Sequence, residues 1–209
     1  MAEALTYDSL LLDIQSYAER DDSSFVSQIP RFVMLAENRL ASEIKGLGFL
    51  RVANFTMISS DPIVVKPARW RQTDSIAIQI SNSKKFLKPR GLQYVQSYWP
   101  NGSLTSEPSF YADYDYEHWL ISPSPDNSYS ATVTYFERPQ PLDNTNQTNW
   151  TTQYAPQLLL YATLLEAQPF LKNTERLQEF QMMYTKAAES ISKENSNKMT
   201  DSSTRRGAA

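Results

Sequence analysis

Residues 154–167 read YAPQLLLYATLLEA, an apolar stretch that opens with a proline in what would be the first turn of a helix. On a helix of 3.6 residues per turn these side chains cover most of the circumference, so the helix should be buried on several sides. Such burial is typical of the central helix of a bundle or of a helix at a subunit interface. Pro169 is expected to end or kink it.

Two helices are predicted ahead of this stretch. Thr6 is a plausible N-cap of the first. Ser27 is a plausible cap of the second, Pro30 lies in its first turn and Gly46 follows its end. The second helix shows one apolar stripe at helical spacing, formed by Ile29, Val33, Ala36, Leu40 and Ile44.

After the apolar stretch, residues 174–195 predict a last amphipathic helix. Residues 196–209 are rich in Ser, Thr, Lys and Arg and offer almost nothing to bury, which predicts an extended C-terminal tail.

In the middle of the chain, the spacing of apolar residues changes from a helical period to alternation. From residue 49 to 137, short β-branched and aromatic runs alternate with polar residues and are broken by Pro, Asn and Ser, which is typical of an antiparallel sheet. The predicted fold class is therefore α+β. Residues 1–48 and 149–195 supply the N-terminal and C-terminal helix pairs of a helical bundle, residues 49–148 are an inserted antiparallel β-rich region, and residues 196–209 are the tail.

Composition excludes several classes of function. The chain has 209 residues, no cysteine and one histidine, so disulfide scaffolds, thiolate metal sites and multi-histidine sites are excluded. No apolar run is long enough to span a membrane, and no signal peptide is evident. Nucleotide-binding and hydrolase motifs are absent. We therefore predict a protein made in the cytoplasm that is not an enzyme, uses no cofactor and binds no membrane.

Charge alternates in blocks along the chain. Residues 1–44 carry eight acidic side chains and three arginines, residues 45–91 carry nine basic side chains and two aspartates, and residues 102–148 carry seven acidic side chains and one arginine. The net charge is only −3. Such blocks are solvated surface or complementary surfaces, and their alternation favours self-association. Within the basic block, residues 84–90 (KKFLKPR) predict a hairpin tip or a partner-facing patch.

One acidic constellation resembles a cation site. If the chain is extended, Asp113, Asp115 and Glu117 share one face. Three carboxylates can hold Mg²⁺ or Ca²⁺, but they also form a solvated edge that protects a strand. We predict the acidic edge and no metal.

Seven aromatic residues lie close to this edge in the sequence, and we call them the aromatic belt: Tyr94, Tyr98, Trp99, Phe110, Tyr111, Tyr114 and Tyr116. Core and interface packing is their first interpretation. A carbohydrate-binding module that uses the belt and the acidic edge with Ca²⁺ is the alternative function.

The order of several motifs resembles a known family. Residues 26–45 read VSQIPRFVMLAENRLASEIK, residues 108–112 read PSFYA and residues 119–125 read WLISPSP. Residues 133–142 read VTYFERPQPL, and residues 149–167 read NWTTQYAPQLLLYATLLEA. Together, from about Leu5 to Tyr184, they are similar to the head-to-tail adaptor (connector) proteins of tailed, especially short-tailed, bacteriophages.

The resemblance implies a structural virion protein at the head–tail junction. Such proteins form a ring, commonly of twelve copies, that docks beneath the portal protein, extends the DNA channel and attaches a downstream tail or nozzle protein. Genomic DNA passes through without sequence-specific binding. In this chain the resemblance assigns ring packing to Leu158, Tyr161 and Leu165 of the apolar helix, and portal binding to Lys198, Arg205 and Arg206 of the tail.

Overall fold

The computed structural model describes residues 5–44, 46–172 and 176–199. The chain divides into two compact units. The helical unit contains the chain up to Phe49 and again from Arg138, and the β unit contains Leu50–Glu137. In chain order the helices are α1 (Tyr7–Ala18), α2 (Ser23–Val26), α3 (Ile29–Glu43), α4 (Leu92–Tyr98), α5 (Trp150–Tyr154), α6 (Pro156–Leu171) and α7 (Leu177–Met199), with a 3₁₀ turn at Leu47–Phe49.

Helix α6 lies at the centre of the helical unit, where it packs against α1, α3, α5 and α7. Its buried side chains lie on several sides of the helix, which confirms the central helix predicted from its apolar circumference. They are Leu158, Leu159, Ala162, Thr163, Leu164, Leu165, Ala167 and Gln168. Pro169 lies within the last turn of the helix, which ends at Leu171.

Of the two predicted N-caps, Thr6 is confirmed by the structure and Ser27 is wrong. Thr6 caps α1 as predicted: its Oγ1 accepts from the backbone N–H of Ser9 at 3.2 Å, and its own N–H donates to the Ser9 hydroxyl at 2.9 Å. Ser27 does not cap α3. It follows the short helix α2, and α3 begins at Ile29 with Pro30 in its first turn.

A polar network joins three helices of this unit. Arg39 of α3 donates from Nε to Glu43 at 2.9 Å and from Nη1 to Glu166 of α6 at 3.0 Å. Tyr184 of α7 donates its hydroxyl to Glu43, and its ring centroid lies 5.1 Å from the Arg39 guanidinium carbon. Burial and the hydrogen bond to Glu43 raise the pKa of Tyr184, so its hydroxyl stays a donor.

The β unit is built from two sheets that share one core. Its strands are β1 (Leu50–Met57), β2 (Ile63–Val65), β3 (Trp70–Ile80), β4 (Ser83–Phe86), β5 (Lys88–Pro89), β6 (Thr105–Ser106), β7 (Phe110–Asp113), β8 (His118–Ser122), β9 (Ser124–Pro125) and β10 (Tyr129–Glu137). One sheet has the order β1-β10-β3-β4 and is antiparallel. The other has the order β2-β8-β7-β5, and its β5–β7 pair is parallel, as is the separate pair β6–β9.

Two indole rings meet at a single threonine in the core of the β unit. Trp119 is 0% exposed and lies perpendicular to Trp70, with 6.3 Å between ring centroids. Both indole N–H groups donate to Thr73 Oγ1, at 3.0 Å from Trp119 and 3.1 Å from Trp70. A buried indole N–H requires an acceptor, so Thr73 fixes the orientation of both rings.

The predicted fold class, a helical bundle with a β-rich insertion and an extended tail, is wrong because it gives the β structure too small a share. The chain is α+β, but residues 50–137 form large sheets with a hydrophobic core of their own, to which Met57, Ile76, Val133 and Trp119 contribute. Side chains from both sheets meet in this core, so the β unit has a hydrophobic centre built by its own strands.

The first residues of the predicted extended tail are helical. Helix α7 continues to Met199, so residues 196–199 are helical. Backbone hydrogen bonding extends a helix beyond the last apolar residue, and a polar composition alone does not stop it. The remainder of the predicted tail, residues 200–209, lies outside the described residues.

Replacing Thr73 with Val should destabilise the β unit, because the isosteric side chain leaves two indole N–H groups without their acceptor. We expect a loss of about 2 kcal/mol in the free energy of unfolding, measured by chemical denaturation of the full chain. The matched control is Thr134→Val on β10, which should change stability by less than about 0.5 kcal/mol. Equal effects of the two substitutions would contradict the role of Thr73.

Candidate interaction surfaces

The predicted acidic edge is a turn rather than an extended strand. Strand β7 ends at Asp113 and β8 begins at His118. Between them Asp115 Oδ1 accepts from the backbone N–H groups of Glu117 and His118, both at 2.7 Å, and lies 2.9 Å from the His118 ring Nδ1. Because an aspartate that accepts from the next backbone amides folds the chain back, Asp113, Asp115 and Glu117 do not form a single strand face.

A buried lysine occupies the inner side of this turn. The Lys66 side chain is 2% exposed, and its Nζ lies 2.8 Å from Asp113 Oδ1 and 2.8 Å from the Asp115 carbonyl oxygen. The same ammonium lies 3.6 Å from the centroid of the Trp70 ring. The Lys66 backbone N–H donates to the Glu117 carbonyl at 2.7 Å. Lys66 therefore ties β2 and the turn together through charge, aromatic and main-chain contacts.

Through these contacts, two of the three carboxylates already have partners within the protein. Asp113 pairs with Lys66, and Asp115 holds the turn. Across the described residues, no group of three acidic, histidine or cysteine side chains is arranged to hold a metal ion. The calcium-dependent carbohydrate module therefore gains no support from this edge.

The aromatic belt divides between the core and the surface. Tyr111 is buried in the core of the β unit, whereas Tyr116 packs edge-on to Trp70 with 5.8 Å between centroids. Tyr94 and Tyr98 of α4 stack on each other at 6.0 Å, and both meet the edge of Phe110, at 5.7 and 5.0 Å. Of the first interpretation, core and interface packing, the core part thus applies to Tyr111, and interface packing by the exposed tyrosines stays a prediction.

The basic stretch 84–90 spans two strands. Lys85 of β4 is paired with Glu107 and also donates to the Ser109 hydroxyl at 3.1 Å. Arg90 places its guanidinium carbon 5.6 Å from the Tyr94 centroid and 5.7 Å from that of Phe110. Lys88 and Arg90 are exposed. The stretch is therefore partly a β4 edge and partly an extension of the exposed aromatic cluster.

The three predicted ring-packing residues lie on α6 at different depths. Leu158 and Leu165 are buried within the helical unit of the protomer itself. Tyr161 is half-buried and lines a cleft with Tyr17 of α1 and Arg176, Glu179 and Phe180 near the start of α7. Of the three residues, Tyr161 has side-chain surface left for a neighbouring molecule. Their part in ring packing stays a prediction.

The predicted portal-binding residues lie at the end of the chain. Lys198 belongs to the last turn of α7. Arg205 and Arg206 lie outside the described residues. The neighbouring Asn195 is buried against Gly46, where a Cβ would lie only 2.3 Å from its Nδ2. A glycine at position 46 therefore allows the end of α7 to approach closely.

A buried carboxylate that the sequence analysis missed joins α3 to the segment that follows the β unit. Glu37 accepts from the backbone N–H of Leu142 at 3.2 Å and from Asn149 Nδ2 at 2.7 Å. Burial raises its pKa to about 7, although both hydrogen bonds act in the opposite direction. The sequence spacing could have shown that Glu37 is buried. It follows Val33 by four residues and precedes Leu40 by three, which places it on the buried face of α3.

Taken together, the polar clusters of the described residues hold helices, strands and turns in place, and the exposed aromatic, apolar and charged groups are suited to protein contacts. This arrangement is compatible with a protein that assembles with others. No helix of the described residues is long and apolar enough to cross a membrane.

Comparison with protein families agrees with this class. The family model described as SU10 adaptor protein matches residues 5–207. The chain therefore belongs to the SU10 adaptor protein family, which confirms the resemblance to phage head-to-tail adaptors and identifies a structural component of the virion. No curated protein matches the chain.

Asp113→Asn and Lys66→Met should have unequal effects on stability. Removing the Asp113 charge leaves a buried ammonium without its counter-ion and should cost about 2 kcal/mol. Methionine instead replaces the lysine with an apolar chain of similar length and leaves Asp113, whose side chain is 61% exposed, to water. That exchange should cost less than about 1 kcal/mol. Chemical denaturation of both variants tests this order, and a larger loss for Lys66→Met would contradict it.

Glu37→Gln should change how stability depends on pH. A folded-state pKa of about 7, against an ordinary value of 4.5, means that the folded chain binds more protons than the unfolded chain between these values. Glu37 therefore makes stability fall as pH rises from about 4.5 to about 7, by roughly 3 kcal/mol in all.

The free energy of unfolding of Glu37→Gln minus that of the wild type should therefore rise by this amount between pH 4.5 and pH 8. Urea unfolding of both proteins measures this difference. The exposed Glu189 on α7 supplies the control, and the difference between Glu189→Gln and wild type should be flat over the same range. Parallel stability curves for wild type and Glu37→Gln would contradict the assignment.

Proposed function

We propose that this protein is the head-to-tail adaptor of its phage, forming a ring of twelve copies beneath the portal protein. The ring extends the DNA channel and attaches the downstream tail or nozzle protein, and genomic DNA passes through it without sequence-specific binding. The protein is made in the host cytoplasm and acts in the virion. The family match over residues 5–207 is the observation that carries the proposal.

The use of polar groups supports a role without catalysis. Lys66 and Asp113 tie a turn to β2, Glu37 holds the segment after the β unit, and Arg39 joins three helices. These clusters have structural partners in the folded chain. We therefore propose that the protein has no enzymatic activity and needs no cofactor.

Exposed apolar side chains of the helical unit support association with other proteins. Leu12, Tyr154 and Met182 are all more than half exposed. Met182 lies in a shallow groove of about 660 Å³ along α7, together with Leu177, Gln178, Gln181, Thr185, Lys186 and Glu189. Apolar groups grouped on a surface in this way are typical of a face that a partner covers.

Helix α7 supports a role of the C-terminal segment in docking. It has 23 residues, which at 1.5 Å per residue corresponds to about 35 Å. Asn195 of this helix is buried against Gly46. Lys198 follows in the last turn of the helix. We propose that Lys198, Arg205 and Arg206 bind acidic groups of the portal protein.

Ending the chain at Met199 tests this part of the proposal. The truncated protein should retain the wild-type circular dichroism spectrum and thermal unfolding, because the described core lies before residue 200. It should lose most of its co-sedimentation with portal-containing particles. Arg205→Glu combined with Arg206→Glu should reduce co-sedimentation by about tenfold, since each charged contact contributes on the order of 1 kcal/mol.

The control variant carries the same charge change elsewhere, as Lys172→Glu with Lys193→Glu, and should co-sediment like wild type. Undiminished binding of the truncated protein would overturn the portal-binding role of the tail. Failure of the wild-type protein itself to bind portal particles would overturn the adaptor function.

A further inference from the structure

One exposed patch of the β unit combines cations and aromatic rings on a single face. We call it the basic–aromatic patch and define it as Lys88, Arg90, Tyr94, Tyr98 and Phe110. Lys88 and Arg90 alternate along β5 and its continuation, so they point to the same side. Lys88 is opposite Phe110 in the parallel β5–β7 pair, and Arg90 lies over the rings of Tyr94 and Phe110.

The patch has the properties of the centre of a protein interface. Tyr94 and Tyr98 are each 47% exposed, although their rings are held by stacking and by the edge of Phe110. Rigid, half-exposed tyrosines next to arginine are the residues that most often dominate binding energy. Within the described residues, neither Lys88 nor Arg90 forms an ion pair.

Its charge determines what kind of surface can cover it. A two-fold contact between identical patches would place Lys88 and Arg90 of one copy against the same cations of the next, which is unfavourable. An acidic surface with an apolar centre is complementary instead.

The helical unit displays such a surface on α1. We call it the acidic α1 face and define it as Asp8, Leu12 and Asp13. Asp8 and Leu12 are four residues apart and so are neighbours on the helix, and Asp13 follows Leu12 on its other side. Leu12 is 64% exposed. Over the described part of the chain, neither Asp8 nor Asp13 has a cationic partner.

We infer that the basic–aromatic patch of one copy binds the acidic α1 face of a neighbouring copy. Leu12 then lies against Tyr94 and Tyr98, while the aspartates face the cations at the rim. Because the two surfaces differ, the contact is heterologous, and each copy keeps one free face for the next. Such contacts close into rings when the rotation permits. The inference rests on the proposed ring and names the surfaces that build it.

The absence of cysteine from the sequence permits a direct test by cross-linking. Ser16 lies beside Leu12 on α1 and Ser97 lies beside Tyr94 on α4, and both are exposed. A chain with Ser16→Cys and Ser97→Cys should give a ladder of disulfide-linked dimers, trimers and larger species on oxidation at high protein concentration or on portal particles. Either single variant should give almost no cross-link, and an equal mixture of the two should stop at dimers.

The matched control pairs Ser16→Cys with Ser83→Cys, an exposed serine on β4. The control should form at least tenfold less ladder. Lys88→Glu with Arg90→Glu should remove the ladder of the first pair, and so should Asp8→Lys with Asp13→Lys. Combining all four charge changes in one chain should restore it, which a merely unfolded variant would not do.

The outcomes separate this surface from the ring itself. If rings are counted on portal particles by microscopy but no ladder forms, or the control pair gives an equal ladder, the surface assignment is overturned and the ring stands. If no oligomer forms free or on portal particles, the ring proposal fails and this inference fails with it. If Lys88→Glu with Arg90→Glu abolishes DNA binding in a gel-shift assay and leaves the ladder intact, the patch binds nucleic acid and the inference is overturned.

Discussion

The antiparallel pairing of β1 with β10 is the constraint on which the organisation of this chain depends. It runs from Leu50 opposite Phe136 to Met57 opposite Tyr129 without interruption. Opposite residues of such a pair lie about 5 Å apart, so the first and the last strand of the β unit bring the two ends of that unit side by side. Helical segments that are far apart in sequence can then share one core, because the loop between them is closed by strand pairing rather than by their own packing.

Within each unit, hydrophobic burial does not by itself fix how side chains, turns and helices are oriented. A few polar contacts determine these orientations. Thr73 orients two indoles, Lys66 orients a turn, and Arg39 sets α3 against α6 and α7. Each of these three side chains has specific partners, and the cost of leaving the paired groups without them makes the alternatives unfavourable. The side chains of Lys88, Arg90, Asp8 and Asp13 form no ion pair within the described part of the chain, and this is why we assign them to contacts between copies.

Several features were accessible from the sequence because they depend on neighbouring residues or on periodicity. The cap at Thr6 and the proline in the first turn of α3 are local signals. The central position of α6 follows from an apolar circumference, and the β-rich middle follows from alternation. The family resemblance rested on five short stretches of sequence in the right order, and the family match confirms it.

The sequence analysis was less successful where the outcome depended on long-range contacts. It treated residues 49–148 as an insertion in a bundle, because helical periodicity gives a stronger pattern than short strands whose common core becomes visible only when they pair. It placed Asp113, Asp115 and Glu117 on one face, because the Lys66 side chain, which contacts Asp113 and the Asp115 carbonyl, lies 49 positions before Asp115 in the chain. It missed Glu37 because the partners of that carboxylate lie more than 100 positions away, on Leu142 and Asn149.

By itself, then, the sequence determined the kinds of elements, their order and the class of protein, since helix caps, strand alternation and motif order act over a few residues. Only the tertiary structure decided which side chains remain available for partners. Leu158 and Leu165 are buried in the core of their own protomer, whereas Tyr94, Tyr98 and Leu12 are exposed. Burial depends on what packs against a residue, and packing is a property of the folded chain.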